Sequence, residues 1–305
     1  MVIKERDVPK DLMVLRFLYW REGLSKEDQR QYLKMEKGFE GELKFDEMLK
    51  ERLPDGEWLI LSDLLLERNS KLTQLDTILV SGNVIYNINV KNHEGDYYFK
   101  NGCWYMSPSG IEIHDPLLQL KRSETVLRQI LRTLGLDIPI ISKLVFVHHE
   151  FTLYYAPMNL PIVFPTQINR FFKALLSSTA KPGKKEWAFA KKLAALHLTE
   201  SPYNNVPDYS YGPLRKGIYC NSCHSFTLEQ AGKDLVCQTC DYTEKLPSAL
   251  MRSVREFHIL FPERRITVQA IKDWCQLDVD RRAIGRILRK NLKVVNKGGH
   301  SYYLL

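Results

Sequence analysis

Between positions 36 and 53 apolar residues recur at Phe39, Leu43, Leu49 and Leu53, a helical spacing, and Pro54 stops the run. The pattern then changes. EWLILSDLLL, TQLDTILVS and NVIYNINVK are dense in Ile, Val and Leu and read as strands, the last two joined by a tight hairpin at Ser81-Gly82-Asn83. DYYFK and CWYMS flank Asn101-Gly102, a pair that accepts the positive φ angles of a type I′ turn. Helical periodicity returns over about 116–134, an apolar strand follows in IPIISKLVFVHH, and helical segments lie near 167–177 and 185–198. Helix, hairpin strands, helix and strand together predict a mixed α/β domain over residues 36–198. Ahead of it, Leu12, Leu15, Phe17, Leu18 and Trp20 give residues 1–35 a helical pattern. That extension packs on the domain or offers a surface to a protein partner.

Residues 199–216, TESPYNNVPDYSYGPLRK, lack either period and hold three prolines, as a linker does. Beyond it, over 217–245, Cys220-Asn-Ser-Cys223 and Cys237-Gln-Thr-Cys240 enclose thirteen residues. Each CxxC is a tight turn presenting two thiolates, and two such turns complete a tetrahedral site of the kind zinc favours. HSFTLEQAGKDLV, between them, has a Gly-Lys turn flanked by short strand-like pieces, so the module reads as a zinc ribbon. Four thiolates leave no open coordination position, so the Zn²⁺ is structural. His224, next to a ligand, is a bystander. Cys103 and Cys275 lie outside the spacing and read as small, buried apolar residues.

Residues 246–305 predict three helices and a hairpin. The first runs over 247–260, the second opens at the N-cap Thr267, and the third opens after Asp278 as VDRRAIGRILRKN. On that third helix Ile284, Ile287 and Leu288 share one face, and Arg282, Arg286 and Arg289 another. LKVVNKGGHSYYLL closes the chain as two strand-like pieces around a Lys-Gly-Gly turn. This is the order of a winged helix-turn-helix domain, with the third helix in the recognition position. Charge strengthens the reading. Residues 246–305 carry 12 Lys+Arg against 5 Asp+Glu, so +7 of the net +8 sits there on an otherwise near-neutral chain. Arg281, Arg282, Arg286, Arg289 and Lys297 are the expected contacts to a polyanion, DNA first and RNA as the alternative.

The α/β domain carries a further set of residues. GFEGELKFDEML, QLDTILVSGNVIYNINVKNHEGDYYF and DPLLQLKRSETVL resemble, over about residues 36–150, the nuclease-related domain family (NERD) of the PD-(D/E)xK nuclease superfamily. The resemblance implies a mixed-sheet, restriction-endonuclease-like α/β fold and a Mg²⁺- or Mn²⁺-dependent phosphodiester hydrolysis. By it Glu42 and Asp76 match the acidic positions, Lys91 the catalytic lysine, and Gln74 and Gln119 the amides that orient phosphate, water or ligands. Apart from the family, the residue types suit the chemistry. Hard carboxylate oxygens hold a divalent ion, and a lysine beside it stabilises negative charge in the transition state.

The sequence departs from the family at Asn89. Asn89-Val90-Lys91 stands where an acid-x-Lys motif is expected. An amide offers a carbonyl oxygen but no charge, and the Val90 backbone carbonyl is a further candidate ligand. Two readings stay open: a nuclease that tolerates the amide or recruits Glu94 or Asp96, and a non-catalytic DNA-binding or regulatory protein on a nuclease scaffold. The N-terminus lacks the apolar stretch of a signal peptide, and no run of about 18 apolar residues exists. The expectation is a cytoplasmic protein away from membranes, with reduced thiols free to bind metal.

Overall fold

The computed structural model describes the chain except residues 69–70, 83, 178–179, 203–205, 278 and 298–299, and omits the side chains of Lys71, Lys297 and His300. In chain order it forms β1 (Val2–Lys4), α1 (Lys10–Trp20), α2 (Lys26–Arg52), β2 (Leu59–Arg68), β3 (Lys71–Val80), β4 (Ile85–Lys91), β5 (Gly95–Lys100), β6 (Cys103–Met106) and β7 (Ile111–Ile113). There follow α3 (Pro116–Thr133), β8 (Ile140–Phe146), β9 (Phe151–Tyr154), β10 (Ile162–Val163), α4 (Ile168–Ser177) and α5 (Lys184–Ala195). The last part holds β11 (Leu228–Ala231), β12 (Asp234–Cys237), β13 (Thr243–Lys245), α6 (Leu246–Leu260), α7 (Val268–Cys275), α8 (Arg281–Asn291), β14 (Lys293–Lys297) and β15 (His300–Leu304). Two compact units result: Met1–Val8 with Leu33–Asn204, and Pro9–Tyr32 with Asn205–Leu305. The first 35 residues, read from sequence as one extension, are thus divided between the units.

The first unit is built on a six-stranded sheet in the order β1-β2-β3-β4-β8-β10. β2, β3 and β4 are antiparallel, while β1–β2, β4–β8 and β8–β10 are parallel, so the sheet is mixed. Each face is covered by helices. Phe45, Leu49 and Leu53 of α2 join Phe172 and Leu175 of α4 over Tyr86, Ile88 and Val90. Leu127, Ile130 and Leu131 of α3 join Phe189 and Leu193 of α5 over Leu61, Ile78 and Ile85. Burial of each such side chain contributes about 1.5–3 kcal/mol, so both faces are well anchored. Leu43, expected on the apolar face of its helix, is 39% exposed, and Phe45 is buried in the core instead. Phe45, Leu49 and Leu53 keep a four-residue period that leaves Leu43 off the stripe.

A second, four-stranded sheet, β7-β6-β5-β9, packs Tyr97, Trp104 and Phe151 on Phe146 and on Leu120 of α3. Its β5–β6 turn has φ 52° at Asn101 and 82° at Gly102, the doubly left-handed geometry that Asn-Gly favours.

In the second unit α1 buries Leu12, Val14, Leu15 and Leu18 and packs on α6. Of the two expectations for this segment, packing on the α/β domain or a partner surface, neither describes these four residues, whose helix packs on α6 within its own unit. Arg21, 0% exposed, follows that helix. Its Nε and Nη2 donate to the two oxygens of Glu256 at 2.6 and 2.8 Å, and Nη1 donates to the Arg215 carbonyl at 2.6 Å. Its guanidinium lies 3.9 Å from the centre of the Trp274 ring. β11, β12 and β13 form a small antiparallel sheet. α6, α7 and α8 pack together around Val254, Trp274 and Leu288, and β14 and β15 pair as an antiparallel hairpin. Thr267 caps α7, accepting from the Ala270 N–H at 3.1 Å. The cap of α8 is Asp280, which accepts from Arg282 N–H at 3.2 Å; Asp278, the expected cap, lies outside the described residues.

Candidate functional site

The centre of the first unit grows out of the β3–β4 hairpin. Thr77 pairs with Ile88, so one residue further along Asp76 comes opposite Asn89. The Val90 N–H donates to Asp76 Oδ2 at 2.9 Å. Alternation along β4 sends Ile88 and Val90 into the α2 core and turns Asn87, Asn89 and Lys91 toward α3. Asp115 and Pro116 start α3 at this point, Asp115 accepting from the Leu117 N–H at 2.9 Å, and this puts Gln119 in the first turn. Lys91 Nζ donates to Gln119 Oε1 at 2.8 Å, and one turn later Asn87 Nδ2 donates to Ser123 Oγ at 2.8 Å. Between these two bonded pairs lies Asn89. Its side chain is buried, 1% exposed, and neither its Nδ2 nor its Oδ1 has a hydrogen-bond partner among the described residues. An unsatisfied buried amide costs about 1–3 kcal/mol, so such a group marks a place where a partner belongs.

Glu42 reaches the site from α2. Its neighbour Gly41 is required by packing, because a Cβ there would lie 2.4 Å from Asn92 Cβ. Asn92 in turn donates through Nδ2 to the Lys37 carbonyl at 2.8 Å, locking the segment after β4 against α2. The Gly-Glu pair thus joins a contact that admits no side chain to the acid that follows it.

Sequence reasoning missed Arg6. Its side chain, 1% exposed, donates through Nη1 to Glu42 Oε2 at 2.6 Å and through Nε to Asp46 Oδ2 at 2.7 Å. Nη2 donates to the Asp76 carbonyl at 2.8 Å and to Thr77 Oγ1 at 3.2 Å. Asp46, one turn beyond Glu42, also accepts from Ser62 Oγ at 3.1 Å. Burial, and after it the charge of Asp76, pushes Glu42 up to about 8, with Arg6 opposing. Burial also raises Asp76, against the pull of Lys91 and of the Val90 N–H. Glu42 and Asp76 are two largely buried acids close enough for the charge of one to raise the other, a pair that fits a divalent cation, which takes hard oxygen ligands and stabilises their charge.

Other expected residues stand apart. Gln74 is exposed and donates to Asp63 Oδ1 at 2.7 Å. Asp63 has a left-handed φ of 52° inside β2. Glu94 and Asp96, the proposed substitute acids, are exposed, and Glu94 pairs with Lys37. Glu94, His148 and Glu150 bring ligand atoms within 4.8 Å of one another. Two of these three groups are exposed, and the Lys37 ammonium already serves one of them.

In the second unit the four expected cysteines come together, all four sulfurs within 4.8 Å. Cys220 and Cys240 are 3.6 Å apart, as are Cys223 and Cys237. Disulfide sulfurs lie at about 2.05 Å, whereas ligands around an ion with metal–sulfur bonds of about 2.3 Å sit roughly 3.8 Å apart. The N–H groups of Ser222 and Thr239 donate to Cys220 Sγ and Cys237 Sγ at 3.3 and 3.4 Å, the turn geometry that holds thiolates in place. His224 stacks on Trp20, ring centres 3.8 Å apart. Cys275 is buried and Cys103 half-buried. On α8, Arg281, Arg282, Arg286 and Arg289 are exposed while Ile284 and Leu288 are buried. The side chain of Lys297 lies outside the described residues.

Residues 37–147 match the family model described as nuclease-related domain. The match bears out the family read from the motifs and spans Glu42, Asp76, Asn89, Lys91 and Gln119. It begins after Arg6. Comparison with curated proteins and with solved structures gave no match.

Proposed function

We propose that the chain is a metal-dependent nuclease that hydrolyses phosphodiester bonds in DNA, with its second unit serving substrate binding. The observation that carries this reading is the buried, unpartnered amide of Asn89 beside Asp76, at the position where the family has an acid. Glu42, Asp76 and Asn89 Oδ1 would hold Mg²⁺ or Mn²⁺, with the Val90 carbonyl as a further ligand. Such an ion supplies Lewis-acid polarisation of the phosphate and a more acidic water. Lys91, steered by Gln119, keeps its ammonium where negative charge develops in the transition state and orients the attacking water. Replacing an acid by Asn89 removes one charge, so the site binds its ion more weakly than a three-carboxylate site.

The four cysteines would hold a structural Zn²⁺, closed to substrate. α6, α7, α8 and the β14–β15 hairpin follow the order of a winged helix, and the exposed arginines of α8 would meet phosphates or guanine edges. Among the described residues no helix is long and apolar enough to cross a membrane. Thiols kept reduced for metal fit a cytosolic setting.

The test is incubation of the full chain with supercoiled and linear DNA in Mg²⁺ or Mn²⁺, beside Asp76→Ala. Cleavage that vanishes in the variant and with chelator supports the nuclease. DNA bound but never cut, in any metal, makes the chain a binding protein on a nuclease scaffold, the reading that the uncharged Asn89 favours.

A further inference from the structure

We infer that Arg6, outside the family-matched segment, is a positioning residue that presents Glu42 to the catalytic cation; the inference rests on the nuclease reading above. The guanidinium is nearly completely buried, and each of its nitrogens has a partner at the site: Asp46 for Nε, Glu42 for Nη1, and the Asp76 carbonyl and Thr77 hydroxyl for Nη2. One rigid group therefore spans the helix carrying one metal acid and the strand carrying the other. It binds Glu42 through Oε2 alone, which leaves the other carboxylate oxygen for an ion.

The direction of the fork is itself fixed. Asp46 takes Nε and is held from the other side by Ser62 on β2. Lys4, two residues earlier, donates to the Ser62 carbonyl at 3.1 Å, so the segment carrying Arg6 is tied to the same strand. Without that fork the Glu42 side chain would lose the bond that fixes its direction, and Asp46 and the Asp76 carbonyl would lose the group that ties them to it. A lysine cannot replace the device, because one ammonium cannot bridge Asp46, Glu42 and a carbonyl in a single planar arrangement.

A simple charge-neutralising arginine would compete with a cation, and its removal would tighten cation binding. A positioning arginine predicts the opposite. The structure also offers a way to tell them apart chemically. A cavity of about 150 Å³ lined by Arg6, Asp46, Ser62, Glu5 and Val2 adjoins the guanidinium, giving a small cation a route to the place it would vacate.

The experiment measures Mn²⁺ binding alone, by electron paramagnetic resonance, in the full chain and in Arg6→Gly and Arg6→Lys, with thermal unfolding recorded beside each. Both variants should bind Mn²⁺ at least about tenfold more weakly, the usual cost of losing an orienting partner. Millimolar guanidinium should restore most of the affinity to Arg6→Gly and none to Arg6→Lys. Unchanged or tighter binding in a folded variant overturns the inference, as does a folded Arg6→Gly that guanidinium fails to restore. Should Arg6→Gly not fold, Arg6→Lys decides by its affinity alone. Mn²⁺ bound by the unsubstituted chain without any DNA cleavage overturns the nuclease reading and leaves the role of Arg6 to these affinities. No Mn²⁺ bound at all overturns both.

Discussion

Two buried arginines, one in each unit, solve the same problem in opposite ways. Arg21 and Arg6 are 0% and 1% exposed in their side chains, the first paired with one carboxylate and the second with two. Around Arg21 everything closes: Glu256 meets it with both oxygens, a carbonyl takes the remaining arm, and Trp274 covers its face. Around Arg6 the bonding leaves a remainder, since it holds Glu42 by one oxygen and, among the described residues, the Asn89 amide of the same unit has no hydrogen-bond partner. A satisfied buried charge is a fastening. An arginine that engages only one oxygen of its acid leaves capacity for a ligand, a cost that functional sites carry.

The comparison is sharpest where the effects are largest. With the proposed Zn²⁺ held by the four cysteines, stripping it should remove folding energy on the order of 10 kcal/mol from that module. Hydrogen exchange after chelation should then lose protection across β11–β13 and leave β2–β4 unchanged. Next comes Arg21→Met, which strands Glu256 and should cost about 3–5 kcal/mol in denaturant unfolding. Its Mn²⁺ affinity should equal that of the parent chain; a loss there would erase the distinction between the two arginines.

Asn89→Asp works on the open side of the comparison. It should tighten Mg²⁺ binding about tenfold, or about 1.4 kcal/mol by calorimetry, and an unchanged affinity would show that Asn89 does not face the ion. Acidity gives a smaller lever. With Glu42 near 8, its ionised fraction, and with it Mn²⁺ affinity, should rise about fivefold between pH 7 and pH 8. The sign for stability is the reverse. The folded value lies above the unfolded one of 4.5, so this group's contribution is complete below pH 4.5 and is lost as pH rises through about 8. Melting of metal-free protein across that window, with Glu42→Gln flattening the curve, checks the sign. The smallest effect belongs to α8. Arg286→Ala should make the slope of log affinity for DNA against log salt shallower by about 0.9, one phosphate contact.

What could be read from sequence was what is local. The cysteine turns announce themselves by spacing, and Asp76 and Lys91 lie on one hairpin, so adjacent strands had to bring them together. Gln119 followed because a Pro-led helix start fixed its turn. Arg6 escaped because nothing near it in the chain hints at its partners, which lie 36, 40 and 70 residues away. A charged residue in a charged N-terminal run reads as solvated until a sheet is built around it. Leu43 failed for a related reason, since its spacing from Phe39 was counted and the competing stripe through Phe45 was not. The parallel pairing of β8 on β4, which completes the sheet beside Asn89 and Lys91, is also a tertiary choice that no local period reveals.

The division of the chain has a consequence for its birth on the ribosome. Pro9–Tyr32 is made early, yet its unit is completed only by Asn205–Leu305, and Arg21 waits for a glutamate 235 residues downstream. At roughly 5–20 residues per second, translation takes on the order of ten seconds or more to cross Leu33–Asn204. Throughout that interval Leu12, Val14, Leu15 and Leu18 have no core to enter. Until Asn205–Leu305 is made, the apolar face of that helix lacks the partner it packs on in the finished unit, so the nascent chain offers it to whatever binds apolar surface.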